Sequence, residues 1–441
     1  NLPVLAFTAA LSIAAGLLFG LAPALKAGRH DLATALRTRG EGGGSHLRKG
    51  LAPMLVVAQV ALSLVLLVGS GLLARSLMNL SRAEVGFARD GVVLVDIDTR
   101  IAGLQPAELS PYYQRLVERI RAVPGVRAAT VATYSPMSGT SRSSSLVVEG
   151  FTAAPGEDVL ANVNQVAPQF VETLGIPLVK GRQFDERDSL TAPKVAFVNE
   201  AFARAYFAHR DPIGMHVGFG SEPKDATIEI VGVVGDAKYD NPRDAPERML
   251  FLPLLQQSDQ SGYASDLEIR TSIDPDGVVP AVRRAIAEVD ARVPIADVST
   301  LARQVADSVR ADFLLAQLVG AFSLLALVLA CVGLYGVVSQ SVARRTNEVG
   351  IRMALGAGRG DILGMLMREA GVLILAGLAI GLPGALLGSR LLMSLLFGIT
   401  PADPLTLLGS AGLLLAVAVL AGFIPARRAS RVEPLVSLRA E

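Results

Sequence analysis

The chain has no tryptophan, one cysteine and four histidines in 441 residues, and only 18% of its residues are charged. Each scarcity excludes something. One cysteine, Cys331, permits no disulfide within the chain, so cysteine usage says nothing of redox compartment. No G-x-x-x-x-G-K-[ST] occurs, so these residues build no P-loop to cradle nucleotide phosphates, and no H-E-x-x-H or C-x-x-C offers a familiar metal site. His30, His46, His209 and His216 are scattered, and the last two flank a Pro212-Ile213-Gly214 turn that reads as a turn rather than a metal centre. The acidic group Asp185, Glu186 and Asp188 has no evident acid/base partner and reads as a solvated loop. The net charge of +1 gives no basic field for nucleic acid. The expectation is a chain that is not an enzyme and holds no cofactor or metal.

Charge is also missing locally. Five stretches, Leu2–Leu25, Leu51–Ala74, Phe313–Ala343, Ala370–Ser389 and Leu405–Ala426, contain no Asp, Glu, Lys or Arg, and each has at least 20 residues. A helix rising about 1.5 Å per residue crosses a hydrocarbon core of about 30 Å in ~20 residues, so all five are expected to span a bilayer. The remaining charge is sorted. Lys26–Lys49 carries six basic and two acidic residues, Arg344–Glu369 five and three, Arg427–Glu441 four and two, whereas residues 75–312 carry 25 basic and 32 acidic. Short basic loops stay in the cytoplasm. All three basic segments fall on one side if all five spans are real, which places the N-terminus and residues 75–312 outside and the C-terminus inside. Arg75, Arg82, Arg310 and Arg390 are exceptions at the outer ends. No span has an interior charge, which argues against an ion relay at mid-membrane.

The end of the first span repeats at the end of the fifth. Gly20, Pro23, Ala24, Ala27, Arg29, Leu36 and Arg37 recur 402 residues later as Gly422, Pro425, Ala426, Ala429, Arg431, Leu438 and Arg439. The first span is therefore expected to close a preceding copy, with the opening Asn1-Leu2-Pro3 inside an outer loop of it. Residues 26–50, glycine-rich at Gly40 and Gly42–Gly44, read as a cytoplasmic linker. Glycines four apart, at Gly16/Gly20, Gly377/Gly381 and Gly384/Gly388, allow close helix approach.

Between the second and third spans the pattern is that of an α/β domain. Val92–Ile97 reads as a strand, Pro111–Val123 as a helix with Leu116, Ile120 and Val123 on one face, and Val126–Thr133 as a second strand. The arrangement returns as Leu267–Thr271, a helix over Asp276–Val289 and Val293–Ala296. Two such split βαβ units pack on one sheet. Residues of about 140–260, with strands over Lys194–Val198, Ile228–Val234 and Met249–Leu252, read as an inserted subdomain. Leu73, Leu77 and Leu80, and later Leu301, Val305 and Val309, continue helical periodicity out of the membrane and predict two stalks; amphipathic caps on the domain are the alternative. The loop Arg344–Glu369 mixes apolar residues with its charges, as an element that lies on lipid or docks on a partner does.

That loop carries a resemblance. Glu348-Val349-Gly350-Ile351-Arg352-Met353-Ala354-Leu355-Gly356-Ala357 is similar to the E-[IV]-G-[IV]-R-x-A-[LIV]-G-A signature of FtsX-like permeases of MacB-type ABC transporters. Gly175-Ile176-Pro177-Leu178, Gly181-Arg182, Val198-Asn199-Glu200, Asp211-Pro212-Ile213-Gly214 and Val231-Gly232-Val233-Val234-Gly235-Asp236 resemble the MacB periplasmic core. Phe397-Gly398-Ile399, Asp403-Pro404 and Pro425-Ala426-Arg427-Arg428-Ala429 resemble the family's ending. The duplicated layout resembles the orphan permeases in which two FtsX-like halves are fused.

The resemblance implies a transmembrane bundle with a large periplasmic α/β (α+β) domain of porter-like βαβ units plus an inserted sabre-like subdomain. Divisions are expected at 1–25 (last span of the first half), 26–50 (linker), 51–74 (span), 75–312 (periplasmic core) and 313–441 (permease domain with three spans and the coupling loop 344–369). It implies mechanotransmission: a separate cytoplasmic ABC ATPase, where ATP is expected, would drive the outer domain through Glu348, Val349, Gly350, Ile351, Arg352, Met353, Ala354, Leu355, Gly356 and Ala357, seated as a helix in the ATPase. A push there would reach the outer domain through one continuous helix. Resting on lipid through Arg344, Arg345, Arg352 and Arg359 is the competing idea. A periplasmic adaptor, a pseudo-dimer of halves and a bacterial inner-membrane location follow from the same likeness, with a peptide, antibiotic or lipid-like substrate. The other reading is a regulatory protein that activates a cell-wall hydrolase. Single cysteines at Ser45 and Ser261 are expected to react with an impermeant reagent from opposite sides of the membrane; reaction from the same side would refute the topology.

Overall fold

In the computed structural model the described residues are 9, 51–156, 158–208, 210–220, 222–258, 262–344, 352, 355 and 358–429. The chain divides into two units, Asn1–Val57 and Ala58–Glu441. The predicted first span and linker lie outside the described residues, and the second unit is the one described below.

Among the described residues four helices are long and apolar enough to cross a membrane: Ala52–Arg82, Arg310–Ala343, Gly360–Leu391 and Pro404–Arg428. They are α1 (Leu51–Arg82), α7 (Arg310–Arg344), α8 (Arg359–Leu391) and α9 (Pro404–Ala429), counting the helices between them below. Many of their leucines are exposed, Leu387 to 64% and Leu408 to 75%, as lipid-facing side chains are. Small and hydroxyl residues sit where the helices meet. Gly381, Gly384 and Gly388 of α8 face Ala61, Leu64 and Val65 of α1; a Cβ on Gly381 would stand 2.9 Å from the Ala61 backbone. Ser63 Oγ donates to the Ala326 carbonyl at 3.0 Å, and Ser323 Oγ to the Leu66 carbonyl at 2.7 Å, tying α1 to α7.

Between α1 and α7 runs an 11-stranded sheet system. Its first part is β1 (Val92–Ile97), α2 (Pro106–Arg121) and β2 (Val126–Ala132), and, much later, β10 (Asp266–Thr271), α5 (Pro275–Val289) and β11 (Ile295–Thr300). The strands lie in the order β11-β1-β10-β2, all antiparallel, with Val95 opposite Leu267 and Leu267 opposite Val131. That is a split-βαβ sheet with its central hairpin opened by an insertion. The valine-rich β1 is buried on both faces. Val93, Val95 and Ile97 meet α2 and α5, while Val92 and Leu94 meet a second core shared with the insertion. Helix α2 begins five residues before Pro111. Pro106 takes the first helical position, where a missing N–H costs nothing, and Glu108 accepts from the Gln105 N–H at 2.8 Å. β11 likewise runs on to Thr300, whose hydroxyl caps α6 (Leu301–Ser308) by accepting from Arg303 N at 3.2 Å.

The insertion holds β3 (Ser143–Val148), β4 (Leu160–Val166), α3 (Phe170–Leu174), β5 (Leu178–Gly181), β6 (Val195–Asn199), α4 (Glu200–Tyr206), β7 (His216–Phe219), β8 (Ile228–Val234) and β9 (Met249–Pro253). Pairing runs β4-β3-β7-β8-β6-β9 and then from β9 back to β4, so six strands close on themselves as a barrel. Closure removes free edges. Leu146, Val163, Ala196, Val217, Ile230 and Leu250, one from each strand, share the interior core. One end is stoppered by α4, whose Phe202, Tyr206 and Phe207 are buried in that core, each such aromatic contributing roughly 2–3 kcal/mol. Asn199 fastens the stopper: its Oδ1 accepts from Phe202 N at 3.0 Å and Met249 N at 2.9 Å.

Barrel and split sheet touch in the sheet plane only through Ala132 opposite Val166, and polar groups are buried beside that seam. Glu268 of β10 is fully buried. Its Oε1 accepts from Ser135 Oγ at 2.7 Å while Oε2 has no partner. Asp266 accepts from Ser135 N at 2.6 Å and Ser265 Oγ at 2.9 Å. Burial holds the Glu268 carboxyl well above its ordinary range, against the Ser135 hydrogen bond, and the nearby Asp266 adds to the rise; burial raises Asp266 as well. A carboxyl raised in the folded state gives its full stability below its unfolded value and loses it as pH rises toward the folded value. The full chain in detergent is therefore expected to lose thermal stability from about pH 5 to pH 8, and Glu268→Gln to unfold at higher temperature than the parent at pH 8 with a shallower pH slope. A parent that gains stability over that range contradicts the assignment.

Candidate functional site

A cluster of polar contacts between distant elements lies where the membrane helices meet the α/β domain. Helix α1 leaves the apolar zone without a break, and its last turns carry Arg75, Ser76 and Asn79. The segment after α8, residues 392–403, folds over them. Ser76 Oγ donates to the Leu395 carbonyl at 3.1 Å and accepts from Phe397 N at 2.9 Å. Asn79 Nδ2 reaches the Phe397 and Gly398 carbonyls, each at 3.4 Å. Gly398 has φ +67°, and its absent side chain leaves room for Asn79, 3.1 Å from where a Cβ would be. Asp403 caps α9 by accepting from Thr406 N at 2.8 Å and Oγ1 at 2.6 Å, and it also pairs with Arg75. The Thr406 hydrogen bonds, and then Arg75, hold the Asp403 carboxyl below its usual range.

A second segment reaches this clasp from the barrel. After β8, residues 236–243 run from the stoppered end toward the membrane helices. Asp236 anchors the segment, accepting from Asn199 Nδ2 at 2.8 Å and Ala201 N at 2.7 Å. Lys238 N donates to the Val85 carbonyl at 2.9 Å, and its ammonium lies 5.3 Å from the centre of the Phe397 ring. Neighbouring Gly86 has φ +81°, and a Cβ there would lie 1.8 Å from the Asp236 carbonyl oxygen, so only glycine fits. Arg243 ends the arm. Its Nη1 donates to Asp312 Oδ2 at 2.7 Å in the first turn of α7, and its Nη2 to the Leu395 carbonyl at 3.3 Å. The two side chains are 17% and 20% exposed, so the pair is screened less than a surface one. One guanidinium thus bridges barrel, clasp and membrane helix.

The second predicted stalk is corrected. Leu301 and Val305 of α6 are buried in the core against the sheet, so α6 is a cap on the domain. Val309, with φ −105° and ψ 7°, separates α6 from α7, and the continuous helix expected to carry a push into the domain is broken there. The acidic group is corrected too. Asp188 is 5% exposed and takes both Nη atoms of Arg182, at 2.7 and 2.8 Å, while Asp185 is pushed down to about 2 by its Arg187 hydrogen bonds. Among the described residues no group of three His, Cys, Asp or Glu side chains is placed to hold a metal.

Of the predicted coupling residues, Arg352 and Leu355 are described; Glu348, Val349, Gly350, Ile351, Met353, Ala354, Gly356 and Ala357 lie outside the described residues. The Arg352 guanidinium points at Met365 Sδ, 2.9 Å away, and Leu355 is 83% exposed. Beyond them Ile362 and Leu366 of α8 pack with Ala426 of α9, and Ser341 Oγ of α7 donates to Glu369 Oε2 at 3.0 Å. Sequence reasoning missed the outer joint. Its signal was present in part: Arg75 is a cation on the wrong side for its span, and Asp403 is the single acid in the last outer turn.

Known proteins match along the chain. The family model for the MacB-like periplasmic core domain matches residues 54–289, more than half of the chain, and that for the FtsX-like permease C-terminal matches 320–434. "Macrolide export ATP-binding/permease protein MacB 2" of Aeromonas hydrophila is 29% identical over 311 residues, 66% of this chain and 46% of that protein. "Pyoverdine export ATP-binding/permease protein PvdT" of Pseudomonas savastanoi is 27% identical over 279 residues, 60% of this chain and 40% of that protein. The chain thus spans less than half the length of these curated relatives. The crystal structure of the periplasmic region of MacB from Actinobacillus actinomycetemcomitans aligns over 50% of this chain and 94% of its own, with 15% identity and a TM-score of 0.35, too low to carry weight.

Arg243→Ala and Asp312→Ala are each expected to lower the unfolding midpoint of the full chain, and a double-mutant cycle to give a coupling of about 2 kcal/mol, the scale of a charge-assisted hydrogen bond that is partly buried. Additive effects of the two substitutions would show that the pair does not hold the joint.

Proposed function

This chain belongs to the family of FtsX-like permeases that carry a MacB-like periplasmic core domain, and from that premise we propose that it is the membrane subunit of a MacB-type ABC transporter. In this reading ATP hydrolysis on a separate cytoplasmic ATPase moves the periplasmic domain, and the chain itself holds no nucleotide. The observation that supports it is the bridge at Arg243. A chain whose membrane helices only anchored a domain would need no arm from the barrel to the first turn of α7 and the end of α8.

The topology belongs to the proposal: five spans with the first at 1–25, a cytoplasmic linker at 26–50, a periplasmic domain over 75–312, and the permease domain over 313–441, set in the bacterial inner membrane. So does the coupling loop 344–369, with Glu348–Ala357 seated on the ATPase and two FtsX-like halves forming a pseudo-dimer. Because α6 and α7 are separate, a push on that loop passes up α7 to Asp312 and crosses to the barrel through Arg243. Two relatives are named for export of a macrolide and of pyoverdine; for this chain the cargo class is a peptide, antibiotic or lipid-like molecule handled in the periplasm with an adaptor.

Reconstitution with the co-purifying ATPase tests the two ends separately. Gly356→Trp and Ile351→Asp are expected to abolish stimulation of ATP hydrolysis while membrane insertion persists. Arg243→Ala is expected to keep that stimulation and lose most substrate export. Full coupling in both loop variants would overturn the docking, and full export in Arg243→Ala would overturn the route through the joint. Co-purification of a cell-wall hydrolase instead of an adaptor would favour the regulatory reading.

A further inference from the structure

The barrel is stoppered at one end only. At the other end a cavity of about 280 Å³ opens, and every strand of the barrel contributes to it: Ser144 of β3, Val163 of β4, Phe219 of β7, Ile228 of β8 and Leu252 of β9 line it, with Lys194 at the entry to β6. These are inward positions. Side chains alternate across a strand, so Ser144 shares a face with core Leu146, Phe219 with Val217, and Lys194 with Ala196. By the same alternation Arg142, which also lines the cavity, faces inward two residues before Ser144. The lumen mouth therefore has an apolar floor of Val163, Ile228 and Leu252, a half-exposed aromatic wall in Phe219, and two cations.

No carboxylate lines this cavity, and among the described residues neither Arg142 nor Lys194 has an ion-pair partner. Gln165 is buried in the floor, and its Oε1 is taken by Thr133 Oγ1 at 2.7 Å. Gln256 accepts from Val195 N at 3.3 Å and donates to the Pro193 carbonyl at 2.9 Å, which pins the segment carrying Lys194 to the rim. In small barrels side chains fill the lumen to its ends; here they stop short, and charge is left at the opening.

We propose that the mouth of the barrel is a binding site for an apolar carboxylate: an anion held by Arg142 and Lys194, with an attached group of aromatic-side-chain or short-acyl size resting on Phe219 and the valine–isoleucine–leucine floor. The volume is at the small end of ligand sites, so it takes one such group and not a larger molecule. Charge complementarity selects the anion, and the arginine fork suits a carboxylate. The site lies at the start of β8, whose far end feeds the arm to Arg243, so ligand and membrane joint occupy opposite ends of one strand. The proposal stands independently of the partner ATPase.

Fluorine NMR of 4-fluorophenylacetate, added to the full chain in nanodiscs of neutral phosphatidylcholine, tests it. Saturable broadening is expected with the acid and none with 4-fluorophenylacetamide. Arg142→Gln and Lys194→Gln, both exposed positions, are each expected to weaken binding about tenfold, the loss of one charge-assisted contact. Lys224→Gln, an exposed cation paired with Glu222 away from the mouth, is expected to change nothing. Displacement by N-acetylphenylalanine identifies a peptide carboxyl terminus as the natural form, and displacement by octanoate an acyl chain; either supports the site. Equal binding of the amide, unchanged affinity in the Arg142→Gln/Lys194→Gln double variant, or displacement by neither acid overturns it.

Discussion

The guanidinium of Arg243 ties the barrel's arm to the first turn of α7 and to the segment that follows α8. It is held where water is scarce, its charge is matched by Asp312, and a second hydrogen bond goes to the Leu395 carbonyl. Such a pair is expensive to half-remove, since the surviving partner would be left desolvated and alone. That asymmetry suits a joint. While intact it fixes the angle between barrel and α7, and any motion that separates its members must be driven. Ser76 and Asn79 hold the other half of the clasp through main-chain carbonyls, which depend on backbone position and little on side-chain identity.

The barrel explains how the insertion stands as one body. A long excursion inside the β2–β10 hairpin would ordinarily present sheet edges, each an invitation to pair with other chains. Closing β9 onto β4 removes them, and α4 seals the interior on the side nearest the arm. The consequence is one closed body, joined to the split sheet by the strand pair Ala132–Val166 and by a shared apolar core that includes Val92, Leu94, Phe197 and Phe251, and to the membrane helices at Arg243.

How much of this was legible depends on the range of the interaction. The four described apolar helices and the strands Val92–Ile97 and Ile228–Val234 were readable because hydrophobic period and length are local properties. Helix α2 was misplaced by five residues because Pro111 masked Pro106, the proline that starts it. Barrel closure was not readable: the pairing of β4 with β9 joins residues more than eighty positions apart and leaves no mark in either strand. The joint was half readable. Arg75 stood out as a charge at the outer end of a span, but Arg243 and Asp312 are ordinary residues of an acidic–basic domain until the fold sets them 2.7 Å apart. Asp188 misled for the same reason, since a carboxylate among acids looks solvated until its arginine is placed.

The two connections to the membrane are unlike. Helix α1 is a single rod of 32 residues, about 48 Å long at 1.5 Å per residue, and the tight Gly86 crossing against the barrel's arm follows four residues past its end. On the other side Val309 interrupts the path: α6 packs on the sheet and α7 begins the bundle. The two sides meet at one atom, the Leu395 carbonyl oxygen, which accepts from Ser76 Oγ of the rod at 3.1 Å and from Nη2 of Arg243, the partner of Asp312 in α7, at 3.3 Å. In the proposed cycle the segment that carries Leu395 is therefore where the two paths to the membrane converge.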